Sequence, residues 1–286
     1  MKKIVIIGNS AAGIAAAEAI RQHDKESRLT ILTDESFAAY ERPKLLGYLE
    51  GKIKEKDLYL RTQDFYKNNN IELLLEKEVV DLSTKKRVVH CKDKTSIEFD
   101  ELVIASGTSV KFPSMKGTQK EGVVGFSSLK DVKFILENLP IAHTVVIVGR
   151  DPLAAVLAQF ISARKIEVKY FGVLEEAVEG VDVVNDNPIV EILGEGEARA
   201  VRLANQKVIG ASLIIFTSPR EPNIDFLRDT DVKTNKGILV DAQMRTNIPC
   251  IFAVGDVSEV GDQMKTFGWE YAQKEGQMLG GILCQI

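Results

Sequence analysis

Cysteine is scarce in this chain. Cys91, Cys250 and Cys284 are its only three, they lie far apart, and no two form a CxxC pair. That excludes a thioredoxin-like redox motif and leaves no zinc or iron–sulfur ligand spacing, so no metal site is expected. A sparse, odd count suits a reducing compartment, and the expected location is the cytoplasm. Long apolar runs are missing too: nowhere do about 18 apolar residues follow one another, which argues against a membrane span. The N-terminal MKKIVIIG has the basic start of a signal peptide, but its apolar run breaks at Gly8-Asn9-Ser10 with no cleavage site. Basic charge is not in excess, since 37 Lys and Arg against 41 Asp and Glu leave a net charge of -4. No nucleic-acid or anionic-membrane partner is therefore expected.

What is present is an ordinary globular composition, 45% hydrophobic and 27% charged, over 286 residues. That length suits about two domains of roughly 150 residues each. Residues 4–7 read as a buried parallel strand, followed by a tight turn and an Ala-rich helix to about Gln22, then a strand over Leu29–Leu32. A loop containing AAYERPKLLGYLEG follows, then a short helix near 64–69 and strand-like segments at 71–75 and 79–81. Residues 101–105 (ELVIA) form another buried strand. The Gly-, Pro- and Ser-rich stretch 107–126 reads as an interdomain crossing. A second strand–turn–helix occupies 145–163, a further strand 167–171, and a closing helix runs from about Trp269 to Leu283. The one internal repeat is this strand–turn–helix unit, with its turns at Gly8 and Gly149.

The first turn is a GxSxxG, Gly8-Asn9-Ser10-Ala11-Ala12-Gly13. Gly8 permits the tight turn, Gly13 allows close helix–strand packing, and a small residue at Ser10 lets backbone N–H groups approach a pyrophosphate at the helix N-terminus. About 25 residues on, Asp34 or Glu35 is placed to accept ribose hydroxyls from a bound dinucleotide. By itself, such a turn also fits a βαβ unit that binds nothing.

Further segments carry a resemblance. Asp34-Glu35…Tyr40-Glu41-Arg42-Pro43, Ala105-Ser106-Gly107, Glu221-Pro222-Asn223, Gly255-Asp256 after a buried strand, and Trp269…Ala272…Gly276…Gly280 occur in that order. The chain resembles the pyridine nucleotide–disulfide oxidoreductase superfamily, in its NADH:rubredoxin reductase, NADH oxidase and nitrite-reductase flavoprotein branch. The resemblance implies an α/β protein with two Rossmann-like, glutathione-reductase-type dinucleotide-binding domains, the second inserted in the first. The expected division is 1–108 and 236–286 for FAD and 109–235 for an NAD(P)-type domain. By the same resemblance Gly8, Ser10, Ala12 and Gly13 would hold the FAD pyrophosphate and Asp34 or Glu35 the ribose. Arg42 would sit on the phosphate–flavin side and Val79 would offer its backbone to the adenine. Ala105, Ser106 and Gly107 would wrap the dinucleotide, and Asp256 after Gly255 would meet the ribitol chain. No catalytic acid, base or nucleophile is implied, and His23, His90 and His143 fall in no flavin motif.

The second turn departs from the branch pattern GGGxxGxE. Here it reads Gly149-Arg150-Asp151-Pro152-Leu153-Ala154-Ala155-Val156. Asp151 stands where the second glycine lets backbone meet phosphate, adding bulk and like-charge repulsion, and Pro152 removes a donor near the helix start. Thr217-Ser218-Pro219-Arg220-Glu221-Pro222-Asn223 replaces a glycine-opened GxxPN, and Gly47 and Val156 stand where relatives pair a Lys with a Glu. The helix that usually follows the second strand of this domain is not expected after Phe171. Relatives also continue into a C-terminal domain beyond the point where this chain stops.

The resulting expectation is a degenerate NAD(P)H site beside a working FAD site. The chain would be an electron-transfer flavoprotein subunit, exchanging electrons with an iron–sulfur protein or rubredoxin in a larger complex. Two alternatives stay open: a self-sufficient NAD(P)H-dependent rubredoxin- or ferredoxin-type reductase, and a structural flavoprotein without turnover.

Overall fold

In the computed structural model, which describes residues 1–261 and 268–284, the chain divides into two compact units. The first comprises 1–44, 54–108 and 222–286; the second comprises 45–53 and 109–221.

The first unit is built on a five-stranded parallel sheet in the order Ile251–Ala253, Glu101–Ile104, Lys3–Ile7, Arg28–Leu32, Ile71–Leu74. These strands are near-continuous apolar runs because a parallel sheet is covered on both faces. The four residues 4–7 are all buried, as are 29–32 and 101–104. On one face, helix Ala11–His23 packs on the closing helix Trp269–Leu283, and Ile4, Ile6, Ile14, Ala16, Ile20 and Leu279 share one core. On the other, Val5, Ile7, Leu102 and Ile104 pack with Leu82 and Val89 of an antiparallel sheet, Val79–Ser83, Val88–Cys91 and Ser96–Glu98. Of these three strands the sequence reading placed only the first, at 79–81.

The second unit repeats the architecture with another five-stranded parallel sheet. Its order is Val181–Val183, Glu167–Phe171, Thr144–Val148, Leu213–Phe216, Val123–Gly125. Helix Pro152–Ser162 follows the central strand, and residues 172–180 hold no helix before the next strand. An antiparallel sheet of Ile189–Leu193, Ala200–Leu203 and Val208–Gly210 completes it.

Two boundaries differ from the sequence reading. The chain returns to the first unit at Pro222 instead of 236, because Phe226, Leu227 and Val232 are buried in that unit's core. The segment 45–53, expected as loop, includes helix Leu45–Leu49 and belongs to the second unit.

Candidate functional site

Four segments remote in sequence end at one edge of the first sheet. Its strands are parallel, so their C-terminal ends lie together. Gly8–Gly13 follows Lys3–Ile7, Asp34-Glu35 follows Arg28–Leu32, Ala105–Gly107 follows Glu101–Ile104, and Gly255-Asp256 follows Ile251–Ala253. The strand order reverses beside Lys3–Ile7, and in open α/β sheets the crevice at such a switch point is where dinucleotides bind.

The turn is closed at backbone distance. Gly8 has φ +109, a conformation side chains disfavour, and a Cβ there would stand 2.2 Å from the Ala105 carbonyl oxygen. Gly13 passes so near that its Cβ would lie 1.9 Å from the Gly8 oxygen. Ala12 is buried, its Cβ 3.0 Å from where one on Gly255 would stand, which brings the first helical turn against the Gly255-Asp256 segment. Ser10 caps helix Ala11–His23 with no side-chain hydrogen bond to it, and the first turn carries no acidic residue. The helix N-terminus and its partial positive charge are thus not covered by a carboxylate of that turn.

Ser10 Oγ accepts a hydrogen bond from Arg42 Nε at 3.2 Å. Arg42 is also paired with the Glu35 carboxylate, whose other oxygen accepts from Tyr40 O–H at 2.6 Å. Burial works to lower the Arg42 guanidinium, but Tyr40, Glu35 and Asp34 around it raise its pKa above the ordinary value. Of the two acidic candidates, Glu35 is half-buried in this network and Asp34 is exposed. Val79 lies just beyond them: Lys77 N–H donates to the Thr33 oxygen at 2.7 Å and Glu76 N–H to the Glu35 oxygen at 3.1 Å.

Other residues hold these segments, and the sequence reading assigned them no such role. Asn9 is buried; its Oδ1 accepts from Tyr66 O–H at 2.9 Å, and Tyr66 in turn accepts from Ala39 N–H at 3.1 Å. Asn9 Nδ2 has no hydrogen-bond partner among the described residues. Ser106 and Asn223 clamp each other, Ser106 Oγ donating to the Asn223 oxygen and Asn223 Nδ2 to the Ser106 oxygen, both at 2.8 Å. Glu275, 7% exposed, accepts from Gly255 N–H at 2.8 Å, while Ser258 Oγ donates to the Gly255 oxygen at 3.0 Å. Asp256 beyond it accepts from Gly268 N–H at 3.3 Å. Glu275 left one sequence signal: a charged residue on the helical stripe of Ala272, Gly276 and Leu279. The Asn9–Tyr66 pair left none.

These features suit a dinucleotide phosphate: a helix N-terminus without a carboxylate cap, a turn with no side chain at Gly8, an arginine on Ser10, and a buried donor without a partner. The second turn is finished differently. Asp151 caps helix Pro152–Ser162 by accepting from Ala154 N–H at 3.2 Å.

The sequence profile of the pyridine nucleotide-disulphide oxidoreductases matches residues 2–276. The NADH oxidase of Methanocaldococcus jannaschii is 29% identical over 91% of this chain and 64% of its own length, so this chain spans just under two thirds of that relative. Rubredoxin-NAD(+) reductase of Pseudomonas putida is 27% identical, over 88% of this chain and 71% of the relative. Among solved structures, the covalent putidaredoxin reductase–putidaredoxin complex shares the fold, with a TM-score of 0.88 at 22% identity, covering 99% of this chain and 75% of that one.

Proposed function

This chain belongs to the pyridine nucleotide-disulphide oxidoreductase family, and on that premise we propose that it is an FAD-dependent oxidoreductase exchanging electrons with a protein redox partner. The convergence of Gly8–Gly13, Asp34-Glu35, Ala105–Gly107 and Gly255-Asp256 on one sheet edge carries this reading. Gly8, Ser10, Ala12 and Gly13 hold the pyrophosphate, with Arg42 supplying positive charge beside it. Asp34 or Glu35 takes the ribose, Val79 the adenine, Ala105–Gly107 the chain of the dinucleotide, and Asp256 the ribitol. When bound, FAD supplies two-electron uptake and one-electron release. The protein binds it, orients it and excludes water around it.

The partner class is an iron–sulfur protein or a rubredoxin, in a larger complex. The named rubredoxin reductase and putidaredoxin complex support that class. Three unpaired cysteines suit work in the reducing cytoplasm. NAD(P)H is a poor donor on this reading, since Asp151 caps the second helix. A second reading, a self-sufficient NAD(P)H-dependent reductase, is supported by the relatives that name NAD(H) and by the family match running through the second unit.

The test is an anaerobic spectral titration of the FAD-loaded protein with NADH, then NADPH, then dithionite. Bleaching by dithionite alone, followed by reoxidation with oxidised rubredoxin, is the expected course. Bleaching by either pyridine nucleotide at low stoichiometry selects the second reading, and failure to take up FAD at all overturns both.

A further inference from the structure

Two segments that depart from the family pattern, distant in sequence, meet in the second unit. Asp151 stands at the second-glycine position of the turn, and Thr217 opens the stretch 217–223, Thr-Ser-Pro-Arg-Glu-Pro-Asn, which replaces the branch's GxxPN and has Pro219 where that motif has its glycine. Thr217 Oγ1 donates to Asp151 Oδ2 at 2.5 Å, and Asp151 Oδ1 accepts from Ala154 N–H at 3.2 Å. One carboxylate thus bridges the start of helix Pro152–Ser162 and the end of strand Leu213–Phe216. Thr217 is 2% exposed, and its hydroxyl lies 1.9 Å from where a Cβ on Gly149 would stand. The space left by the first glycine is filled from within. Beside it, Arg150 N–H donates to Ser218 Oγ at 3.1 Å.

A diphosphate on such a turn needs free backbone donors, room beside the glycine and no fixed negative charge. All three are already used. Ala154 N–H serves the Asp151 carboxylate, Arg150 N–H serves Ser218, Thr217 fills the room, and Asp151 supplies the charge. The first unit shows the contrast, since Ser10 makes no side-chain cap and its helix begins without an acidic residue.

We infer that Asp151 and Thr217 form a built-in anion plug, in which the Asp151 carboxylate stands in for a phosphate and bars pyridine dinucleotides from the second unit. The inference rests on reading that unit as NAD(P)-type. Asp151 and Thr217 are not independent here, because the hydroxyl of one satisfies the carboxylate of the other.

The experiment measures NADH binding by calorimetry to the full FAD-loaded chain as wild type, D151G, D151G/T217A and D151N. Asparagine keeps an acceptor for Ala154 N–H and an amide for Thr217, so D151N preserves the plug without its charge. The expected result is no saturable binding to wild type, and binding at least about tenfold tighter in D151G/T217A, with D151N well behind. Equal gain in D151N overturns the plug in favour of charge alone. No gain in any variant that keeps its FAD and circular dichroism overturns the plug yet leaves NADH a poor donor. Wild-type binding as tight as the double variant's overturns the plug and the poor-donor reading together. Should D151G not fold, D151S, which retains a short cap, replaces it with the same expected order.

Discussion

Arg21 illustrates how single residues set this protein's geometry. It is 6% exposed, and its guanidinium donates to the carbonyls of Asn69 (2.8 Å), Asp24 (2.9 Å), Ser27 (2.8 Å) and Asn70 (2.9 Å). It ties the end of helix Ala11–His23 to the turn before strand Ile71–Leu74. Arg21→Met would strip four carbonyls of a charged donor, at a cost of about 3 kcal/mol or more; the midpoint of urea unfolding checks this. Arg42 belongs to the proposed FAD site. Arg42→Ala is expected to weaken FAD binding about tenfold or more by losing charge-assisted bonds, with unchanged far-UV circular dichroism of the apoprotein; unaltered FAD affinity by flavin fluorescence would remove Arg42 from the site. Gly8 and Gly13 were legible from spacing alone, because their roles are local to one turn. Asn9 and Glu275 were not, because Tyr66 is 57 residues from the first and Gly255 20 residues from the second.

At the scale of elements, helices Ala11–His23 and Trp269–Leu283 pack through small residues. A Cβ on Gly276 would stand 2.1 Å from the Ala12 oxygen, and one on Gly280 would stand 2.4 Å from the Ala19 Cβ. Gly280→Leu therefore forces the helices apart, costing about 1–3 kcal/mol by overpacking, to be read as a lowered melting temperature. The hairpin joining Val88–Cys91 to Ser96–Glu98 carries a different constraint. Hydrogen bonds from Lys77 and Thr95 hold the Asp93 carboxyl down to about 2 from the ordinary 3.8. Its folded pKa is below the unfolded value, so its contribution is present above about pH 4 and is lost as pH falls toward 2. Lys77→Met should return Asp93 toward 3.8, as seen by carboxyl NMR titration. The strands of this hairpin were missed in sequence because they are only four and three residues long, too short for a periodic pattern to show.

At the scale of the molecule, two units of one architecture differ in how the helix after the central strand begins. In one the N-terminus carries no side-chain cap; in the other Asp151 caps it. A ligand that binds only the native state stabilises by mass action, so FAD at about 100 times its Kd should raise stability by about 2.7 kcal/mol. Thermal unfolding with and without FAD measures this, and an unshifted transition would sink the FAD assignment. NADH at the same concentration is expected to leave the transition in place.

The sequence by itself determined the class of fold and the paired strand–turn–helix units, and it named the segments that meet at one sheet edge, because apolar runs, glycine spacing and motif order are properties of neighbouring residues. It also showed that Asp151 and the stretch 217–223 are out of pattern. Only the tertiary structure decided that Asp151 and Thr217 touch each other, that Glu275 holds Gly255, and that Pro222 already belongs to the first unit. Each of those is a contact between chain segments brought together by sheet pairing and helix packing, and no local pattern encodes which distant hydroxyl or N–H a carboxylate will meet.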